Sequence, residues 1–573
     1  MLIQRGMSHP PRLNALGEMR VHAGCMPLRS LGNRAPFLWV LLPLIAGLVA
    51  GRQQWLPATP LVLAVAAIAS ALITLTQPKR WRWAWGPFLV LAITLSGAAL
   101  YELNRARLPA WDSLPLREVR VTVELDRVFP PHPGAKSFTG LGHLVATEAH
   151  LVELIGQTVY FSIGLRPGES PPLRSSRLGV TGVLQTLPRL PASDTFEGYL
   201  GNQGVNYKLT RARVTGAVSP ASWYSKFCDK TLRTFDAFLG RSIEAYPAQV
   251  GVLRAMLLGQ QHELSQEQTG VFRESGTMHL FSVSGLHIAV IAAAIQGTLL
   301  ITRMPAAARI GVGGILLWLY VDITGGTPSA VRAFFMVMFI QAAEVLQRPG
   351  NTVAALSGSA VCVLVLHPLQ LFSASFQLSY GIVAALLLLG LPLGECWTEK
   401  TAPFTRLPTV TWRWWHHAID WCWRWLLGAL SIGAATSLVS LISGVVIFKL
   451  LTPVAMIANL VLIPLGSLVI ISGFLCLFGG LIGFGGMVSL FNHASVLLLT
   501  AAEWGVHRFI ELPGAFQAVE FIFDGMGYPM LTGLLAVLLW GYANNWDGKR
   551  GSFWAPFVFT ALILATCLQR VAG

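Results

Sequence analysis

The chain has 573 residues, of which 54% are hydrophobic and only 12% charged, and it carries a formal net charge of +14 at pH 7. This composition excludes an ordinary soluble globule and a single small domain, and it predicts a polytopic α-helical membrane protein. The positive surplus fits either Lys and Arg gathered at the cytoplasmic ends of membrane helices or a polyanionic partner.

Residues 1–36 carry Arg5, Arg12, Arg20, Arg29 and Arg34 against Glu18, and from Phe37 the chain turns apolar. Small residues at Val49-Ala50-Gly51 would suit a signal-peptide cleavage site. An uncleaved anchor is the better reading, because the apolar runs Leu61–Leu75 and Pro87–Tyr101 follow at once. Residues 37–101 are therefore expected to form three membrane helices, with a basic, aromatic cytoplasmic connector QPKRWRWAW and the amino terminus inside.

Residues 102–222 are polar and punctuated by Pro and Gly. Val119, Val121, Val123 and Leu125 alternate with Arg120, Thr122, Glu124 and Asp126, the period-two pattern of a half-buried strand. Further strands are expected at His143–Thr147, Thr158–Leu165, Leu178–Leu187 and Tyr207–Val214. Five short strands fit an inserted, extracytoplasmic all-β barrel of the OB-fold kind. Its Phe129, Phe138, Tyr160, Phe161 and Tyr207 could stack on bases or simply fill its core.

Residues 223–275 are expected to form amphipathic connecting helices, the first over Trp223–Ile243 and lying on the outer face of the membrane. Residues 276–573 then carry about ten apolar segments of spanning length, for about thirteen spans in all. The first of these, expected over 279–302, is interrupted by Ser284-Gly285-Leu286-His287. Arg303, Arg309, Arg348, Lys400, Arg406, Arg413, Arg424, Lys549 and Arg550 fall on the side this threading makes cytoplasmic. In the loop 395–425, WRWWHHAIDWCWRW reads as an interfacial helix, with nucleotide stacking as the alternative, and the adjacent His416 and His417 lack ligand spacing. Cys25, Cys228, Cys362, Cys396, Cys422, Cys476 and Cys567 are scattered without a CxxC, so neither a metal site nor a disulfide framework is expected, and no cofactor.

Polar groups at membrane depth are costly unless protein or a polar path receives them. The candidates are His279, Ser282, Ser284 and His287; then Arg332 after GGTPSAVRA; Ser375, Gln377, Ser379 and Tyr380 in SASFQLSYG; and Asn459 with Pro464 in MIANLVLIPL. Gly285, Pro328 and Pro464 are read as helix breaks. Interhelical hydrogen bonds explain any one of these residues, whereas four breaks in one bundle point to a transport path. A nucleic-acid path needs a few cations, neutral donors and no acidic ring, and Arg332 and His287 suit phosphate. Asp322 and Glu344, the chief acids between 279 and 390, sit near span ends.

These blocks resemble, in order, those of the ComEC-type competence family. LRAMLLGQQHELS and FRESGTMHLFSVSGLHIAV are similar to the family's approach to its channel motif, through Gly276, His279, Ser284, Gly285, Leu286 and His287. PSAVRAFFMV, FSASFQLSYG and LTPVAMIANLVLIPL resemble the next three blocks, and DTFEGYLGNQGVNYKL the end of the family's amino-terminal domain. The resemblance implies an inner-membrane channel for single-stranded DNA in natural transformation, lined by His279, Ser284, Gly285, His287, Arg332, Gln377, Ser379 and Asn459. It implies as partners single-stranded DNA, a cytoplasmic helicase or translocase ATPase, a DNA receptor on the periplasmic side and membrane lipids, and it allows a homodimer. The chain has no GxxxxGK[ST] loop and no HxHxDH cluster, so no enzymatic activity is expected, and either a separate nuclease removes the second strand or this is a divergent member that has lost or changed the transformation role. Two other readings stay open, a small-solute or lipid transporter and a non-conducting scaffold that presents the barrel.

Overall fold

The computed structural model describes residues 35–56, 58–76, 84–105, 116–130, 136–165, 170–188, 191, 195–281, 283–347, 351–405, 407–523, 525–546 and 552–570. The basic segment before residue 35, most of the connector after Thr76, Ser282, Arg348, Arg406, Lys549 and Arg550 lie outside the described residues.

Helices α1 (Leu38–Arg52), α2 (Pro60–Thr76) and α3 (Trp85–Arg105) open the chain. α1 and α3 approach to backbone contact. A Cβ at Gly47 would stand 2.0 Å from the Thr94 carbonyl oxygen, and one at Gly97 would stand 2.7 Å from that of Leu44. Small residues permit this between membrane helices, where close packing supplies the attraction.

β1 (Arg117–Phe129), β2 (Ser137–Thr147), β3 (Thr158–Gly164), β4 (Arg177–Thr186), helix α4 (Phe196–Asn202) and β5 (Tyr207–Ser219) follow. The strands close a barrel in the order β1-β2-β3-β5-β4, with β4 pairing back onto β1. Every pairing is antiparallel except that of β3 with β5. The alternation in β1 is the cause of its inward face: Val119, Val121, Val123 and Leu125 are at most 2% exposed. Each of the five runs expected from the sequence forms one strand, and closure leaves no unpaired edge.

The bundle comprises α5 (Trp223–Gly240), α6 (Pro247–Leu258), α7 (Gln266–Glu274), a 3-10 turn at Met278–Phe281, α8 (Gly285–Leu300), α9 (Ala306–Ile323), α10 (Pro328–Val345) and α11 (Thr352–Leu366). It continues with a 3-10 turn at Pro368–Phe372, α12 (Ala374–Thr401), α13 (Trp414–Phe448), α14 (Ala455–Leu481), α15 (Gly485–Ile510), α16 (Gly527–Ala543) and α17 (Ala555–Thr566). Short strands β6 (Leu450–Leu451), β7 (Gln517–Phe521) and β8 (Leu568–Arg570) tie two helix connections and the segment after α17 into one sheet. Among the described residues, seven helices are long and apolar enough to cross a bilayer: α3, α9, α10, α12, α13, α14 and α15. The other apolar helices have 10–17 residues, short of the ~20 that a hydrocarbon core requires.

Four expectations are corrected. The run over 279–302 is not one interrupted helix, since Gly285 is the first residue of α8 and Met278–Phe281 forms a separate turn. Pro328 begins α10, where its missing N–H is no loss, so it starts a helix rather than breaking one. Pro464 lies inside α14, which runs on without interruption. Its cost is confined to the Leu460 carbonyl, which has no N–H donor four residues on. Within 223–275, α6 is not amphipathic: Val252, Leu253, Ala255, Met256, Leu257 and Leu258 are all at most 2% exposed. α5 does present two sides, with Cys228, Phe235 and Leu239 buried and Trp223 in the open. It is not loose on a surface, because Asn492 Nδ2 donates to the carbonyls of Phe238 (2.8 Å) and Arg241 (2.9 Å) and so pins its carboxyl end to α15.

The barrel is seated on one end of the bundle. Arg174, in the loop before β4, donates from Nη1 and Nη2 to the two carboxylate oxygens of Asp322 at the end of α9, each at 2.6 Å. Arg105, at the end of α3, donates to the Val205 carbonyl (3.0 Å) and to Asn206 Oδ1 (3.1 Å). Asn202 Nδ2 donates to the Phe372 carbonyl at 3.1 Å.

Replacing Gly47 by Leu forces α1 from α3 and is expected to cost about 1–3 kcal/mol; it should lower the midpoint of a thermal melt in detergent while leaving the barrel's β signal in circular dichroism. A double-mutant cycle of Arg174→Ala and Asp322→Ala, read by the same melt, should give coupling of roughly 0.5–2 kcal/mol, because both groups retain some solvent access. Additive single effects would show that the pair does not hold the barrel.

Candidate functional site

Between the barrel and the helix ends lies a cleft of about 400 Å³. Its barrel wall includes Asp126 and Arg127 of β1, Gln157, Gln203 and Asn206. Its bundle wall includes Gly326, Pro328, Arg332, His367 and Gln370, with Asn104 from α3 at the side. The loop that makes this possible follows Asp322: Gly325 (φ +91°) and Gly326 (φ +57°) adopt left-handed backbone that other residues rarely take, and the chain turns directly into α10.

Arg332 stands one turn into α10 and is 3% exposed. Its Nη2 donates to the carbonyl and to the hydroxyl oxygen of Ser375, both at 2.8 Å, at the start of α12. Nε and Nη1 are buried with no hydrogen-bond partner among the described residues. No carboxylate meets this guanidinium among the described residues: Asp322 at the end of α9 pairs with Arg174, and Glu344, at the far end of α10, with Arg309 at 2.7 Å. An unpaired buried guanidinium is costly, and its free N–H groups suit a phosphate or carboxylate oxygen.

His287, buried in the first turn of α8, is oriented by the turn itself. Its Nδ1 accepts the Ser284 backbone N–H at 3.3 Å and lies 2.9 Å from Ser284 Oγ. That assignment puts the ring proton on Nε2, which is buried without a partner among the described residues. The imidazole is thereby set up as a neutral donor. α8 and α10 are joined at the same level, where the Ser329 hydroxyl donates to the Val283 carbonyl at 2.8 Å and the Cβ position of Gly285 lies 3.9 Å from Ala333.

Ser284, Gly285, His287 and Arg332 are thus gathered at the adjoining starts of α8 and α10. The other expected residues serve other contacts. Gln377 Nε2 donates to the Leu371 carbonyl at 3.2 Å, bracing the turn before α12. Ser379 makes no hydrogen bond to Arg332; Ser375, one turn earlier, does so. His279 lies on the Met278–Phe281 turn, bonded to the backbone of Gly276 and within electrostatic reach of His287. Gly276 (φ +70°) sets that turn against α14, its Cβ position 2.8 Å from Ala455. Asn459 lies one turn further along α14, its Oδ1 buried without a partner among the described residues.

Sequence reasoning missed Arg174, Gln157, Gln203, Asn206, His367 and Gln370, which become neighbours only when the barrel meets the bundle. Asp126 shares the barrel wall with Gln157, Gln203 and Asn206 and is 2.9 Å from His143 Nδ1. Although open to the cleft, its carboxyl is held above the ordinary aspartate range, first by desolvation, against the opposing hydrogen bond and charge of His143.

The profile of a family described as Competence protein matches residues 256–544, just over half of the chain. ComE operon protein 3 of Bacillus subtilis (strain 168) is 25% identical over 202 residues, which are 35% of this chain and 25% of that protein. The aligned part thus spans a quarter of the relative's length. No solved structure matches. The matched segment runs from within α6 to just beyond α16 and takes in Arg332, His287 and the whole bundle wall of the cleft, and on that match the chain belongs to the Competence protein family.

Proposed function

We propose that the protein admits DNA to the cytoplasm as a single strand, through the bacterial inner membrane, by way of the cleft between barrel and bundle. Family membership supports a role in DNA uptake, and the similarity to ComE operon protein 3 agrees with it. The observation that carries the reading is Arg332, a buried cation with two unused nitrogens and no acidic partner among the described residues, at the bundle wall of a polar cleft. A proton-coupled or cation path would instead place a carboxylate there.

The barrel is read as an OB-fold. Its strand order and its parallel β3–β5 pair support this, as does the wall it turns to the cleft, built from the end of β1, from β2 and from the connection between β4 and β5. Loops at these positions are where OB-folds take oligonucleotides. The threading places the barrel in the periplasm and Arg303, Arg309, Lys400, Arg413 and Arg424 in the cytoplasm, in keeping with the positive-inside pattern. Exposed Trp414, Trp421 and Trp425 at the start of α13 suit a headgroup region on that cytoplasmic side. The protein acts as a conduit and not as an enzyme, and a separate ATPase pulls the strand.

Arg332→Ala is expected to lower uptake of labelled DNA into the cytoplasm of a competent host by about tenfold or more, the worth of a charge-assisted hydrogen bond. Arg332→Lys should fall between, since an ammonium keeps the charge but loses the planar fork. Unchanged uptake by Arg332→Ala, at equal abundance in the membrane, would exclude this cleft as the path.

A further inference from the structure

Resting on the conduit reading, we infer that the cleft is a single-strand checkpoint: it seats one unpaired nucleotide, the phosphate on Arg332 and the base edge on the carboxamides around it. Five carboxamide side chains, Asn104, Gln157, Gln203, Asn206 and Gln370, line one cavity of about 400 Å³. A carboxamide offers a donor and an acceptor, and so does the Watson–Crick edge of every base. Amides therefore bind any unpaired base without fixing its identity. In a duplex those edges are occupied by the complementary strand, and recognition through them requires the base to be splayed out.

The amides differ in how they are held. Asn206 Nδ2 donates to Gln157 Oε1 at 3.1 Å while Asn206 Oδ1 accepts from Arg105 at 3.1 Å, so this pair is fixed to the barrel and to α3. Gln370 Oε1 has only a long contact with the Ser373 hydroxyl, 3.4 Å, and the Gln203 side chain makes no hydrogen bond among the described residues. A rigid pair and two adjustable amides accommodate bases of different size. The volume lies near the low end of the ~300–1,000 Å³ common to small-ligand pockets, which fits one nucleotide unit and not a duplex whose major groove alone is ~12 Å wide. Charge sets the direction of seating. Arg332 attracts phosphate to the bundle wall, whereas on the barrel wall the carboxylate of Asp126 offsets the guanidinium of Arg127, so the base is turned to the barrel.

The test uses the full chain in lipid nanodiscs and the anisotropy of a fluorescent thymidine oligonucleotide, alone and annealed to its complement. Gln203→Leu combined with Gln370→Leu should weaken single-strand binding about tenfold, the worth of two ordinary hydrogen bonds, and leave duplex binding unchanged. The Asn pair at the same positions should recover part of the loss, and all variants should share the parent's melting midpoint. An unaltered ratio of single-strand to duplex affinity in the Leu pair, or an equal loss for both DNAs, overturns the checkpoint. If uptake still depends on Arg332 in that case, the conduit stands without it. A changed ratio together with Arg332-independent uptake would keep the site and remove the conduit.

Discussion

A cation buried within a membrane bundle has only the protein to answer it, and Arg332 is answered by half. Ser375 takes one guanidinium nitrogen through its carbonyl and hydroxyl oxygens, and the other two nitrogens face no acceptor among the described residues. Among those residues Arg332 is also the one Lys or Arg that is fully buried. The usual remedy, a carboxylate at bonding distance, is absent among the described residues, and Asp322 at the end of α9 is taken by Arg174. The Arg174–Asp322 pair, the glycine loop, the helix starts and the seat of the barrel all bear on keeping that guanidinium unneutralised.

Helix starts supply the rest of the polar chemistry. A backbone that leaves a helix within hydrocarbon must be satisfied by protein or line a cavity. At the start of α8 the Ser284–His287 contact closes the turn, and the price is an imidazole whose other nitrogen has no partner. At the start of α10 the Ser329 hydroxyl repairs the neighbouring chain by binding the Val283 carbonyl. The two starts hold each other, so a change at one is felt at the other. The barrel adds a third contact, since Arg174 grips the last turn of α9, three residues before Gly325. Position of the barrel and shape of the cleft are coupled through that short loop.

Much of this was legible from residues alone, for stated reasons. The alternation in Val119, Val121, Val123 and Leu125 is a local signal of period two, and it marked a strand that the barrel contains. Arg332 and His287 were legible because a charged or titratable group in an apolar run is conspicuous. Three things were not legible. Pro464 looks like a break by its chemistry, yet a long, well-packed helix absorbs the loss of one hydrogen bond. α6 looks like a surface connector because it is short and follows an amphipathic helix, and only the surrounding α5, α14 and α15 bury it on every side. The cleft's carboxamides come from α3, the barrel and the turn before α12, more than 200 residues apart in sequence at the extremes. No spacing rule links Asn104 to Gln370.

The balance of weak and strong contacts follows from what a conduit must do with a polyanion. A strand carries one charge per phosphate, so a wall dense in guanidinium groups would bind it and keep it. The interior offers instead one buried arginine among the described residues, a histidine presented as a neutral donor, and amides whose hydrogen bonds are individually small. A nucleotide leaving Arg332 exchanges one charged contact for water or for the next neutral donor, and the following phosphate takes its place. Passage is favoured when successive phosphates see nearly equal wells, and a single cation set in neutral surroundings provides that more readily than a row of them. The acids near the path serve the same end by being paired: a free Asp322 would repel the strand, and a free Arg174 would trap it. Locked together at the rim, they remove both a barrier and a well.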